Sequence, residues 1–235
     1  MQELRVLAII PARAGSKRLP EKNIKLLARK PLIAHAINAV IQSNCCNLVV
    51  STDSQEIVDI AVQHGGSVLW LKPANLSVDS IIVLEDTLNS LLNNYKKINV
   101  FFFCILLLQN TSHFRKPEII RKVALMYKEV GENVVFINKV SFKPSRCRTI
   151  DNQGNLYYPN VFKIADVSEE SESIYKLKGA IYIVATEQII SKKSFYSDLT
   201  KAFLIDSPIE SIDIDTPIDW ALTEKLMELN QEALV

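Results

Sequence analysis

Apolar and polar positions change period along the chain, and short continuous apolar runs alternate with stretches that repeat every three or four residues. The run from Arg5 to Ile10, bounded by Pro11, predicts a buried strand. Pro31 opens a helix to about Gln42, Leu48 to Ser51 is a short strand, and Asp53 or Ser54 caps a helix from Gln55 to about Gln63 that Gly65-Gly66 ends. Ser67 to Leu71 reads as a third strand, Ser80 to Asn93 as a helix, and Val100 to Leu108 as the strongest strand, buried on both faces. A helix from Pro117 to about Val130 and a strand from Asn133 to Lys139 follow. Between Val140 and Lys178 periodicity is lost. That stretch carries Pro144, a turn at Asn152-Gln153-Gly154 and the acidic serine run Ser168 to Ser173, and it suits a lid, a dimer arm or a plain surface insertion. Ala180 to Ala185, Ala202 to Ile205 and Ser211 to Ile214 are read as strands, and Thr216-Pro217 starts a last helix. The alternation predicts an α/β fold: a mainly parallel open sheet flanked by helices, in one domain over 1–235 with an excursion at about 140–178.

In such sheets ligands bind beyond the carboxyl ends of the strands. Three polar clusters fall there: the loop from Ala12 to Asn23, the segment Gln109 to Arg115, and Asp213-Ile214-Asp215. The first loop sets Arg13, Lys17, Arg18 and Lys22 against one acid, Glu21, among the small residues Ala12, Ala14, Gly15 and Ser16. Small residues let backbone N–H groups approach an anion, and the cations add charge-assisted hydrogen bonds, so the loop suits a polyphosphate. It has neither the second glycine of a Walker loop nor the three glycines of a dinucleotide fingerprint. The alternative is an exposed basic turn without a ligand.

Asp213 and Asp215 flank Ile214, and in an extended strand both carboxylates share a face. Paired carboxylates suit Mg²⁺, which takes one or two of them plus substrate phosphates. A helix cap at Asp215 or Thr216 is the competing reading. An aspartyl-phosphate nucleophile is argued against by the short chain remaining after Asp215, and a nucleophilic serine by the absence of a Gly-x-Ser-x-Gly elbow.

Charge and cysteine usage narrow the class further. Lys+Arg 27 against Asp+Glu 26 leaves a net charge of +1, so no overall basic field points to nucleic acid or an anionic membrane. No apolar run is long enough to span a bilayer, and no signal-peptide order is present, which predicts a cytoplasmic protein. Cys45, Cys46, Cys104 and Cys147, with His35, His64 and His113, lack metal-site spacing.

Five segments in order, Ile10 to Asn23, Ser51-Thr52-Asp53, Leu107-Leu108-Gln109-x-Thr111-Ser112-x-x-Arg115, Gly179-Ala180-Ile181-Tyr182-Ile183 and Ser211 to Thr216, resemble the acylneuraminate cytidylyltransferases over nearly the whole chain. The resemblance implies transfer of CMP from CTP to the anomeric hydroxyl of a nine-carbon 2-keto sugar acid, with release of pyrophosphate, Mg²⁺ (or Mn²⁺) as cofactor and a homodimer. It implies that Arg13, Gly15, Ser16, Lys17, Lys22 and Asn23 hold CTP, with Arg13 and Lys22 offsetting phosphate charge. Gln109, Ser112, Arg146, Lys176, Gly179 and Tyr182 would serve the sugar, and Asp213 and Asp215 the metal, Asp213 also orienting or deprotonating the attacking hydroxyl.

The chain departs from this family on the sugar side. Asn110 and His113 stand where prolines are usual, Lys176-Leu177-Lys178-Gly179 replaces Arg-x-Asn-Gly, the acidic serine run replaces an Arg-Gln pair, Arg146 replaces a lysine, and Ile81 and Ile82 follow Ser80. Lysine does not reproduce the bidentate geometry of arginine, so these changes suggest a legionaminic or pseudaminic acceptor. The alternatives are a 3-deoxy-manno-octulosonate cytidylyltransferase and a nucleotide-binding paralogue without turnover.

Overall fold

The computed structural model of the chain describes residues 5–16, 18–71, 88, 91–140, 147–157, 174–192 and 194–232. Its main sheet has six strands in the order β10-β6-β9-β5-β1-β4. These are β1 (Val6–Pro11), β4 (Asn47–Ser51), β5 (Cys104–Leu108), β6 (Val134–Lys139), β9 (Tyr175–Ala185) and β10 (Lys201–Leu204). β1 runs parallel to β4 and β5, and β10 parallel to β6, while β9 lies antiparallel between β5 and β6. The sheet is therefore mixed but mostly parallel, as the alternating pattern predicts. Two small ribbons, β2 (Leu26–Leu27) with β3 (Lys30–Pro31) and β7 (Thr149–Ile150) with β8 (Leu156–Tyr157), stand outside it.

Helices cover both faces. One face packs Ile10, Ala8 and Leu106 against α1 (Leu32–Ser43), α2 (Gln55–Gln63) and α4 (Pro117–Val130), through Ile33, Ile37, Ile57, Ile120 and Val123. The other packs Leu7, Ile9 and Ile105 against Leu91, Leu92 and Tyr95 of α3 (91–97) and Ile189 of α5 (Thr186–Lys192). A smaller core joins Leu19, Leu27 and Leu32 to Ile214 and to Trp220 of α6 (Pro217–Glu232), which clamps the basic loop to the Asp213–Asp215 segment.

Several predicted elements change. The expected strand at Ser67 to Leu71 is irregular, with only the Val50 N–H to Ser67 carbonyl bond and a Thr52–Leu71 bridge to hold it to the edge. The strand expected over Val100 to Leu108 is regular only over Cys104–Leu108, although Phe103 still donates to the Arg5 carbonyl and accepts from the Thr186 N–H, each at 3.0 Å. The strand expected at Ser211 to Ile214 is absent. Ser207 and Pro208 draw the N–H groups of Glu210 and Ser211 into local turns, a competition that serine and proline win over a ladder. Most of the helix expected at Ser80 to Asn93 lies outside the described residues, as does the serine run.

Candidate active site

The basic loop is anchored at both ends and open in the middle. Where β1 ends, the Ala12 N–H bonds the Ser51 carbonyl at 2.8 Å. Buried Asn23 donates from Nδ2 to the Arg13 carbonyl at 2.9 Å and accepts from Asn110 Nδ2 at 3.1 Å. Asp53 accepts from the Ala14 N–H at 2.9 Å, while Ser54 takes the α2 cap that either residue was expected to fill. Between these ties Ala14, Gly15 and Arg18 are exposed. A Cβ at Gly15 would meet nothing within 4 Å, so the small residue leaves backbone open to solvent and fills no tight contact. Arg13, Ala14, Glu21, Asn23 and Ile57 line a cleft of about 150 Å³ between the loop and α2.

The two aspartates face different partners. Asp215 pairs with Arg18 Nη2 at 3.0 Å and Lys22 Nζ at 3.2 Å, and Lys22 also donates to the Ile214 carbonyl at 2.8 Å. Asp213 pairs with Lys178 Nζ at 2.5 Å and accepts from Ser112 Oγ at 2.7 Å. Lys178 also donates to the Ser211 carbonyl. The same-face expectation rested on a strand that does not form. Instead Ile214 is buried, its N–H held by the Thr111 carbonyl at 2.9 Å, and the carboxylates on either side reach separate clusters.

The capping alternative is settled by α6 itself. Thr216 and Asp219 form a reciprocal box, with the Thr216 N–H and hydroxyl each 2.8 Å from Asp219 Oδ2 and the Asp219 N–H 3.3 Å from Thr216 Oγ1. The Asp215 carboxylate is therefore spent on the loop cations and not on the helix.

Behind Asp213 the site is closed by buried polar groups. Arg115 donates to the Gln109 carbonyl at 2.8 Å; burial lowers its pKa to about 9, with the Asp213 charge opposing. Its Nε and the Asn110 Oδ1 are buried and have no hydrogen-bond partner among the described residues. A Cβ at Gly179 would strike the Gln109 carboxamide at 2.3 Å, so a larger residue there would have to displace that side chain. Tyr182 is buried in the second core against Phe195; burial, then Tyr196 and the Asp213 charge, push its phenol upward. Lys176 is exposed, in register with Asn138. Lys17 and Arg146 lie outside the described residues.

The structure thus brings Lys22, Gln109, Ser112, Gly179, Asp213 and Asp215 to one sheet edge, and adds groups that pattern reading did not assign. Arg18 was read only as part of the basic run, Arg115 only as a motif letter, and Lys178 only as a departure. For Arg115 and Lys178 the available signal was a charge inside a motif or strand that is otherwise uncharged or apolar, which is seldom buried without a partner.

The carboxylates can also be tested against a divalent ion. Among the described residues no three His, Cys, Asp or Glu side chains form a metal cluster, so an ion would need oxygens from the substrate. Asp215 fits that demand, being 38% exposed with counter-ions drawn from the loop. Asp213 is already paired to a lysine that is 2% exposed.

Comparison with known proteins agrees with this layout. A family model described as cytidylyltransferase matches residues 7–235. The chain is 57% identical over 233 residues to the CMP-N,N'-diacetyllegionaminic acid synthase of Legionella pneumophila, covering 99% of this chain and 100% of that protein. It is 34% identical to the N-acylneuraminate cytidylyltransferase of Streptococcus agalactiae over 92% of this chain, which spans about half (52%) of that longer protein. Among solved structures, a CMP:2-keto-3-deoxy-manno-octonic acid synthetase complexed with CTP superposes with a TM-score of 0.71 at 17% identity, covering 96% of this chain and 99% of that one. With a basic loop after β1 facing two aspartates across the sheet edge, and a family match over nearly its full length, the chain belongs to the cytidylyltransferase family, with acylneuraminate cytidylyltransferases among its relatives.

Proposed function

We propose that the protein transfers CMP from CTP to the anomeric hydroxyl of a nine-carbon 2-keto sugar acid of the legionaminic type, releasing pyrophosphate. The observation that carries this reading is the meeting of the basic loop with the Asp213–Asp215 segment, in a chain 57% identical to a CMP-N,N'-diacetyllegionaminic acid synthase. The exposed turn around Gly15, with Arg13, Lys17, Arg18 and Lys22, receives the triphosphate. As phosphate oxygens approach, Arg18 and Lys22 exchange a carboxylate partner for a phosphate partner, so their charge is set before the reaction begins. Asn23 holds the loop in shape through the Arg13 carbonyl. Gln109 and the Gly179 backbone bound the acceptor side, and Asp213, oriented by Ser112 and Lys178, receives the proton as the anomeric oxygen bonds the α-phosphorus and the bond to pyrophosphate breaks.

Mg²⁺, or Mn²⁺ in its place, at the Asp213–Asp215 segment would offset charge on the triphosphate and on the leaving pyrophosphate. We include a homodimer in the reading, supported by the exposed apolar residues Ile150, Leu156 and Tyr157 of the β7–β8 hairpin and Ile174, Tyr175 and Leu177 at the start of β9, and a cytoplasmic location, supported by four free thiols and a CTP substrate.

A panel of acceptors with CTP, read as pyrophosphate release, tests the proposal. N,N'-diacetyllegionaminate should exceed pseudaminate, N-acetylneuraminate and 3-deoxy-manno-octulosonate by about tenfold or more in kcat/KM. A preference for N-acetylneuraminate overturns the acceptor assignment, and CTP binding without pyrophosphate from any acceptor overturns the activity.

A further inference from the structure

We propose that Lys178 is a built-in counter-ion for Asp213, so that this active site takes a single divalent ion with CTP, on the Asp215 side, where two carboxylates would otherwise invite one ion each. The inference rests on the nucleotidyl-transfer reading above.

Both oxygens of Asp213 are already engaged from within the protein, Oδ2 by Lys178 Nζ and Oδ1 by Ser112 Oγ. A hard cation bonds carboxylate oxygen at about 2.1 Å, which would set it beside the ammonium, and like charges at that range repel strongly. Withdrawal of Lys178 is closed off. Its side chain ranks among the largest fully buried ones, and its second partner is the Ser211 carbonyl in the turn leading to Asp213. It also lies where pairing slips: Val135 pairs with Tyr182 but Ile137 pairs with Leu177, so extra β9 residues are accommodated and the strand is re-aimed. The next residue, Gly179, is wedged on Gln109. Moving the lysine out would strand an unpaired carboxylate or bury an unpaired ammonium.

Both oxygens of Asp215 are engaged as well, by Arg18 and by Lys22, which is 12% exposed, but these partners belong to the basic loop, Arg18 is 67% exposed, and the arriving triphosphate supplies both an alternative anion for those cations and the oxygens a metal needs.

The test counts Mn²⁺ bound to the full-length protein with the non-reacting analogue α,β-methylene-CTP, by loss of the free-ion electron paramagnetic resonance signal. One ion per protomer is expected. Two overturn the inference alone, whereas none overturns it together with the nucleotidyl-transfer reading. Lys178→Asn, which leaves Asp213 uncompensated, should raise the count to two, and Lys178→Arg should keep it at one; an unchanged count in folded Lys178→Asn removes the role given to Lys178. The wild-type count needs no substitution, so it stands even where a variant misfolds. Asp213→Asn should change Mn²⁺ affinity by less than about threefold, and Asp215→Asn should weaken it by about tenfold or more. The reverse ranking overturns the assignment.

Discussion

Lys22–Asp215 and Lys178–Asp213 are the same chemical pair placed in two environments two residues apart along the aspartate segment. Lys22, itself 12% exposed, belongs to the basic loop and shares Asp215 with Arg18, whose side chain is 67% exposed, whereas Lys178 rises from a sheet strand with 2% exposure. A pair near water is screened and easily exchanged, and a buried pair costs too much desolvation to break. The first is therefore suited to release its cations to a ligand. The second is suited to hold a carboxylate in one orientation before it takes a proton.

The contrast breaks most readily at Lys22. Lys22→Ala removes a cation placed for the phosphates and should lower turnover by about 10²- to 10³-fold, near 3–4 kcal/mol of transition-state stabilisation, with little change in stability. Steady-state kinetics beside urea denaturation checks it, and a large stability loss at unchanged turnover would invert the two roles. Lys178→Met should do the opposite first, lowering stability by about 2–3 kcal/mol, below the full cost of a buried broken pair because Asp213 keeps 34% exposure. Denaturant midpoints read this directly.

A pH experiment sharpens the buried side. Burial, then the charges of His35 and Arg115, lower the His113 pKa from 6.5 to about 3. Between those values the unfolded chain binds a proton that the folded chain excludes, so stability rises with pH in this window and falls on acidification. The loss from pH 6.5 to pH 5 attributable to His113 should be about 1–2 kcal/mol, and His113→Phe should remove that part while leaving the slope from His35, whose pKa burial also lowers. A smaller effect is expected at Thr216→Ala, where losing one half of the reciprocal cap should cost about 1 kcal/mol in thermal or urea unfolding. The smallest is Arg18→Ala, within about 0.5 kcal/mol of wild type in stability, because its exposed pair is screened.

Much of the framework was legible because single physical rules governed it. β1, α4 and β6 form close to where apolar runs, Pro117 and Gly131 place them, and the basic loop follows β1 as Pro11 and the small residues require. Ser211 to Ile214 was misread because alternation resembles a strand even where Ser207 and Pro208 turn the backbone locally. The carboxylates were identified, but their partners were not, since the lysine that answers Asp213 lies 35 positions earlier, on a strand whose bulge no local pattern announces. Arg18 and Arg115 were hidden for opposite reasons, one inside a run of like charges and the other inside a motif read as a whole.

The direction of β9 carries a consequence of another kind. Because this strand alone runs against the other five, it enters the sheet at the edge where they end, and Lys139 leaving β6 stands in register with Tyr175 arriving on β9. The chain between them departs and returns through one doorway, with the Val140 N–H bonded to the Ile174 carbonyl at its sill. Such a doorway lets an insert lengthen, shorten or be exchanged between relatives while every sheet strand keeps its partner. Changes within that insert, in evolution or by design, then leave the sheet that carries the basic loop undisturbed.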